Sequence, residues 1–333
     1  MELQQRLDLL VRLGEYMLSE DSNWKNAKKR ASCENGWFIP SFIELASYNI
    51  ANQFLNRDKL TGWVKEYSIN ERNEKPLTVG IVMAGNIPMV GFHDFLCGFV
   101  SGHRLKIKMS SKDNVLLSHL IEILRKWNPD SGEVLFLSDM LKGCDAYIAT
   151  GSNNSSRYFK YYFAKYPHLI RHNRTSIAIL SGNESENQLM ELADDIYQFF
   201  GLGCRNVTKL YVPIHYNFEQ LLSAFNKYKH VADHHKYKNN YDYQLAILIV
   251  NKLYYMTNGS IIMVEDPAVF SPISRLHYQF YSDRDAVLEK INSNPDIQCA
   301  VGEGLISFGK SQQPALNNYA DGVNTLQFFL GLC

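Results

Sequence analysis

From residue 76 onward the chain alternates between two patterns, and that alternation restricts its fold more than any other feature. PLTVGIVMAG (residues 76–85) reads as a buried strand ending at Gly85, and IPMVGFHDFLCGFVSG (87–102) reads as a helix. RLKIKMS is a strand, DNVLLSHLIEILRKWN a helix with Asp113 as its N-cap, and GEVLFLS and CDAYIATGS are strands. NNSSRYFKYYFAKY then reads as a helix and TSIAILSG as a strand. Strands joined by helices lie parallel in a doubly wound sheet covered on both faces. Such sheets bind ligands beyond the carboxyl ends of their strands, which singles out Gly85-Asn86, Met109 to Ser111 and Thr150 to Asn153.

The alternation restarts after residue 204. NVTKLYVP, SIIMVED, ISRLHYQFYS and IQCAVG are strand-like, and NFEQLLSAFNKYKHV, YDYQLAILIVNKLYYM and DRDAVLEKINS are helical. The first 75 residues read mainly as helices, with Leu3, Leu7, Leu10 and Leu13 at helical spacing, Trp24, Trp37, Phe38, Phe42 and Ile43 as a core or docking face, and Pro40-Ser41 as a helix start. The expected organisation is therefore a helical segment (1–75), a nucleotide-binding domain (76–200), a second α/β domain (201–310) and a C-terminal segment (311–333).

Between the two α/β halves lies FFGLGCRNVTKLYVP, with Cys204 at a bend between Gly203 and Arg205. A thiol so placed is either exposed and biased toward thiolate or simply a small residue in a tight turn. The other cysteines, Cys33, Cys97, Cys144, Cys299 and Cys333, form no CxxC pair and read as packing residues. His230, His234 and His235 have helix-face spacing, but only Asp233 could complete a ligand set, so no metal site is expected. Lys+Arg and Asp+Glu both number 34, which removes the basic excess that nucleic-acid binding usually needs. No apolar run is long enough for a membrane span, and the N-terminus lacks a signal-type stretch, so a reduced cytoplasm is the expected compartment.

Four motifs in order, with a fifth segment behind them, resemble the aldehyde dehydrogenase superfamily. GNIP (Gly85 to Pro88) resembles its N-x-P turn, KMSS (Lys108 to Ser111) its K-P-S-E stretch, and ATGS (Ala149 to Ser152) its T-G-S turn. GLGCRNVTKLYV resembles its nucleophile segment, and VFSPIS (Val269 to Ser274) its F-G-P-V segment. The likeness covers roughly residues 76 to 305, and the chain length and the tail NNYADGVNTLQFFL are closer to the acyl-CoA reductases of the LuxC type, the fatty acyl reductases.

The resemblance implies an aldehyde dehydrogenase-like α/β fold, with a doubly wound cofactor domain and a catalytic α/β domain. It implies NADPH-dependent reduction of an acyl-CoA or acyl-protein thioester to an aldehyde. Cys204 would be the nucleophile and Asn86 an oxyanion-hole donor, although Asn86 as the N-cap of the following helix looks the same in sequence. Lys108, Ser110 and Ser111 would hold the adenosine ribose, and Thr150, Gly151, Ser152 and Asn153 the pyrophosphate and nicotinamide. Where the parent family often ends K-P-S-E in glutamate, this chain has Ser111 followed by Lys112, which suits a 2′-phosphate and hence NADPH.

Two departures carry information. The parent family's hydrolytic glutamate has no counterpart in Arg171-His172-Asn173-Arg174, which suits reduction. There His172 is the candidate acid or base, and Arg171 and Arg174 are candidates for phosphate groups. The glutamate before F-G-P-V is replaced by Ala268, with Glu265 or Asp266 as candidate substitutes for the ribose contact. Expected partners are the thioester substrate, a second copy of the chain in a homo-oligomer, and a protein that transfers the acyl group. The alternative readings are a CoA-acylating aldehyde dehydrogenase running in the oxidative direction, and a non-catalytic binding member of the fold.

Overall fold

The structure, a computed structural model, describes residues 1–151 and 153–332, and of Asn153 only the backbone. The chain divides into two compact units, residues 1–173 with 314–333, and residues 174–313.

The first unit begins with helices α1 (Leu3–Met17), α2 (Ser22–Glu34), α3 (Pro40–Phe54) and α4 (Arg57–Lys65). The leucine stripe of α1 is buried, Leu10 and Leu13 completely, and Pro40 opens α3 at its first turn, where a missing N–H costs nothing. There follow β1 (Thr78–Val82), α5 (Phe92–Ser101), β2 (Arg104–Lys108), α6 (Leu116–Trp127), β3 (Leu135–Leu137), β4 (Ala146–Thr150), α7 (Asn153–Phe163) and β5 (His168–Arg171). The sheet runs β3-β2-β1-β4-β5 and every pairing is parallel. Ile81 lies level with Ile107 and Ile148, all fully buried; β1 and β4 read as apolar runs, whereas β2 alternates buried Leu105 and Ile107 with charged residues. Strand order reverses between β1 and β4, and a crevice at the carboxyl ends of strands is the normal ligand position in such sheets.

The second unit comprises β6 (Thr175–Ile179), α8 (Glu186–Tyr197), β7 (Val207–Pro213), α9 (Phe218–Ala224), α10 (His235–Val250), β8 (Met256–Thr257), β9 (Ile262–Glu265), β10 (Arg275–Tyr281), α11 (Arg284–Asn292) and β11 (Ile297–Gly302). Its sheet runs β11-β6-β7-β10-β9-β8, parallel except for the β8–β9 pair. The last helix, α12 (Thr325–Leu330), returns to the first unit. There His103 Nε2 pairs with the Phe329 carbonyl at 3.0 Å, and the Tyr319 hydroxyl accepts from Trp63 Nε1 at 3.0 Å. Among the described residues no helix is long and apolar enough to cross a membrane.

Several sequence expectations shift. The boundary expected at 200/201 falls at 173/174, because β6 pairs with β7 and β11 rather than with β5. The helix expected from residue 87 starts at Phe92, since Met89 adopts φ 54° and breaks a helical path through Pro88. Asn86 is therefore not a helix cap; the N-cap of α5 is Gly91. Asp113 is not the N-cap of α6 either, that position being Val115. Strand β5 escaped the sequence reading because, of its four residues, His168 and Arg171 at the ends leave only Leu169 and Ile170 as apolar signal.

Candidate active site

At the switch point of the first sheet, two turns pack against each other. The turn after β1 passes through Gly85, where a Cβ would lie 2.6 Å from Ser110 Oγ and 3.0 Å from the Asp113 amide nitrogen, so glycine is required for the approach. The Asp113 carboxylate accepts the Met89 N–H at 2.6 Å, tying the turn after β2 to the turn that carries Asn86. Burial raises the Asp113 carboxyl to about 6, against the pull of the Met89 and Leu116 amides. This arrangement turns the only acid of the 108–113 turn inward and leaves Lys108, Ser111 and Lys112 exposed, with Ser110 half-buried and its Oγ accepting the Lys112 N–H at 3.2 Å. Asn86 is half-buried.

On the other side of the switch point, β4 ends at Thr150, level with Arg171 of β5. Gly151 follows, and a Cβ there would meet Ser155 Cβ and the Phe159 ring at 2.9 Å, so the chain hugs the first turn of α7. Ser152 and the side chain of Asn153, both expected to bind the cofactor, lie outside the described residues.

In the second unit, α8 ends in a kink. Phe199 (φ 53°, ψ 27°) and Phe200 (φ 56°, ψ 25°) both take the left-handed conformation, followed by Gly201 at φ 74°. Two successive non-glycine residues in that region cost roughly 1–2 kcal/mol each, so surrounding contacts must over-determine the kink. The two rings are 4% and 1% exposed, and Phe200 packs against His234 with centroids 4.6 Å apart. The kink delivers the chain into a turn spanning Gly203 to Asn206, with Cys204 half-buried at its centre. The Asn206 N–H donates to the Gly203 carbonyl at 3.0 Å, and the Gly203 N–H donates back to Asn206 Oδ1 at 2.8 Å. Ser176 Oγ, on β6, donates to the Cys204 carbonyl at 3.0 Å and lies 3.0 Å from Cys299 Sγ.

Among the other described cysteines, Cys97 and Cys144 are buried, Cys299 is half-buried like Cys204, and Cys33 is exposed. Burial pushes the Cys97 thiol far up, and it also raises those of Cys144 and Cys299, which favours their neutral forms. Two depart from the packing role expected of them: Cys33 is exposed, and Cys299 borders the Cys204 turn through Ser176.

The segment before F-S-P-I is clamped from below. Lys209, fully buried on β7, donates to the carbonyls of Asp266 (3.1 Å) and Pro267 (2.7 Å) and to Gln279 Oε1 (2.9 Å). His277 Nδ1 bonds the Ala268 carbonyl at 3.0 Å, and Thr208 Oγ1 bonds that of Val269 at 2.6 Å. Burial lowers the Lys209 ammonium to about 8, with Lys290 adding to the effect. The Asp266 carboxylate is engaged with the Ala268 N–H (2.9 Å) and with Arg275 (3.5 Å), so it is poorly placed to replace the missing ribose glutamate; Glu265 is exposed.

The structure removes Arg171 from the phosphate-binding candidates. Its guanidinium is buried, forks onto Asp94 at 3.1 and 2.6 Å, and donates to the Ala320 carbonyl and Thr325 Oγ1, both at 2.7 Å. His172, next in sequence, is exposed, and Arg174 Nη1 reaches the Ile297 carbonyl at 3.4 Å. Asn86 and His172 belong to the first unit and Cys204 to the second. His234 stacks on Phe200 and His235, His230 stacks on Tyr228, and no group of three metal-ligating side chains gathers among the described residues. Sequence reasoning missed Asn206, Ser176 and Lys209. Only Asn206 carried a signal, as a turn-forming residue two positions after the cysteine.

No family model matches the chain, and no curated protein matches it. Solved structures do resemble it. An aldehyde dehydrogenase of Mycobacterium tuberculosis complexed with NAD+ superposes with a TM-score of 0.66 at 13% identity, over 90% of this chain and 73% of that one. Aldehyde dehydrogenase 21 of Physcomitrella patens, complexed with the reaction product succinate, gives 0.65 at 15% identity over 88% and 71%. An aldehyde dehydrogenase of Pseudomonas syringae complexed with NAD+ and octanal gives 0.65 at 12% identity over 90% and 72%. At such low identity the likeness speaks for architecture: the chain has an aldehyde dehydrogenase-like fold.

Proposed function

We propose that the protein reduces an acyl thioester, an acyl-CoA or an acyl-protein, to an aldehyde through an acyl-Cys204 intermediate. The observation that carries this reading is the Cys204 turn: a half-buried thiol at the centre of a hydrogen-bonded turn that directly follows the left-handed kink at Phe199 and Phe200. In this reading the first unit is the cofactor domain and the second carries the nucleophile.

Cys204 thiolate attacks the thioester carbonyl carbon, and the Asn86 amide and the Cys204 N–H stabilise the oxyanion. The carbon–sulfur bond to the donor breaks, and the departing thiolate takes a proton, for which His172 is the candidate donor. NADPH, when bound, supplies the hydride that reduces the acyl group. Lys108, Ser110 and Ser111 would hold its adenosine ribose, and Thr150 and Gly151, with Ser152 and Asn153, would hold its pyrophosphate and nicotinamide. The fit for a 2′-phosphate comes from the inward carboxylate of Asp113, which leaves a hydroxyl and an ammonium, Ser111 and Lys112, on the exposed side of the turn. The thiohemiacetal on Cys204 then collapses, its carbon–sulfur bond breaks, and the aldehyde leaves with Cys204 regenerated as thiolate. Residues 171–174 hold no carboxylate to activate water, so the acyl-enzyme is protected from hydrolysis.

The second reading is a CoA-acylating aldehyde dehydrogenase, which oxidises an aldehyde to a thioester by the same residues in reverse; the Pseudomonas syringae neighbour holds NAD+ and octanal. The test is oxidation of NADPH with a panel from acetyl-CoA to palmitoyl-CoA. Aldehyde formation is expected with at least one of them and is lost in Cys204→Ala, which still binds nucleotide. Near-parental turnover by that variant would remove Cys204 from the nucleophile role.

A further inference from the structure

One fully buried side chain ties the Cys204 turn to the end of α8. Asn206 is 0% exposed. Its Oδ1 accepts the Gly203 N–H at 2.8 Å, one residue before the thiol. Its Nδ2 donates to the carbonyls of Asp195 (3.1 Å), Ile196 (3.4 Å) and Gln198 (2.8 Å). Those carbonyls lie at the C-terminus of α8, where helix geometry leaves acceptors without intrahelical donors. Gln198 also stands immediately before the left-handed pair Phe199 and Phe200. A single amide therefore closes the turn on one side of the kink and caps the helix on the other. No other residue type of that size combines the two: aspartate accepts but cannot donate, and leucine does neither.

We propose that Asn206 is the positioning residue of the Cys204 thiol, fixing the turn against α8 so that the left-handed kink cannot relax and carry the sulfur away. The role is distinct from that of Ser176, which holds the Cys204 carbonyl from β6. The proposal concerns how Cys204 is presented and rests on the nucleophile reading only for its catalytic consequence.

The test uses the full chain and two variants. Alkylation of Cys204 by iodoacetamide is measured across pH by peptide mass spectrometry, as a ratio to alkylation of the exposed Cys33 in the same molecule, well below the unfolding temperature. Asn206→Ala leaves the Gly203 N–H and the α8 carbonyls without this partner. The ratio is expected to fall about tenfold and its pH profile to approach that of Cys33. Asn206→Ser is small enough for the buried site and keeps a hydroxyl that can donate or accept one hydrogen bond, so it should fold even where the alanine variant does not. It cannot span both the Gly203 N–H and the α8 carbonyls, so its ratio is expected to fall as well, by less than in Asn206→Ala. If the melting temperature drops in both variants while the ratio and its pH profile stay parental, Asn206 is only a structural cap and the proposal fails. Absence of acyl-CoA turnover in the parent would overturn the reductase reading instead, and would leave the alkylation result standing.

Discussion

At the switch point of the first sheet, Gly85 and Gly151 let neighbouring turns lie against Ser110 and α7, and polar side chains at 108, 111 and 112 stay exposed. The Cys204 turn of the second unit is built the other way. Its backbone is bent into an unfavourable conformation at Phe199 and Phe200, and buried rings together with the Asn206 amide hold it there. The first arrangement spreads close backbone approach over several short turns, which suits a ligand that contacts many atoms weakly. The second concentrates restraint on the turn that carries a single thiol, as positioning a nucleophile would require. Strain without a nearby thiol, or glycine turns without exposed donors, would support neither reading.

The largest effect that separates the two regions is expected from Asn86→Ala. If Asn86 donates to the oxyanion on the substrate of Cys204, kcat for acyl-CoA reduction falls by roughly 100- to 1000-fold while the nucleotide Kd stays at its parental value. A matching loss of nucleotide affinity would place Asn86 with the binding turns instead.

A thermodynamic comparison comes next, because each unit buries one carboxyl held at about 6, Asp113 in the first and Asp195 in the second. Asp195 accepts the Gly309 N–H at 2.7 Å and the Ser311 N–H at 2.9 Å, and burial is the main cause of its rise, as it is for Asp113. A carboxyl whose folded pKa exceeds its unfolded value of 3.8 binds its proton more tightly when folded. Its contribution to stability is complete below the unfolded value and is lost as pH rises through about 6. Asp113→Asn and Asp195→Asn should each gain on the parent by up to about 3 kcal/mol between pH 4 and pH 7, read from urea unfolding. A pH-independent difference for either variant would mean that its carboxyl is not desolvated in solution.

Much of the first unit was legible in the sequence because its strands carry a regular apolar signal: β1 and β4 appear where the runs TVGIV and AYIAT stand, and β2 where RLKIK alternates apolar with charged. The bend at Cys204 was legible from its glycines. What makes the bend specific was not, since it depends on residues brought together by folding: Asn206 reaches back to Asp195, and Ser176 comes from another strand. Arg171 shows the reverse failure. A basic residue beside His172 and Arg174 looks like a phosphate contact until Asp94, 77 positions earlier, is seen to neutralise it in the interior. The unit boundary was hidden for the same reason, because strand pairing and not sequence order decides where β6 belongs.

The smallest expected effect sharpens the binding side alone. Ser111→Glu places a negative charge at the exposed turn and should erase a preference for NADPH over NADH, a change of about tenfold or more in the ratio of kcat/KM values. The Cys204:Cys33 alkylation ratio should not move, because nothing in the 108–113 turn belongs to the unit that presents Cys204. Equal kcat/KM for the two nucleotides in the parent would contradict the role given to Ser111 and Lys112.

The central claim is that Cys204 takes the acyl group and that no protein base hydrolyses it. Intact-protein mass spectrometry after mixing with acyl-CoA, with no nucleotide present, addresses both halves at once. The predicted result is a lasting mass increase of one acyl group, removed by hydroxylamine and absent in Cys204→Ala. Rapid release of free fatty acid with no adduct would contradict it, and would point to a hydrolytic base outside residues 171–174.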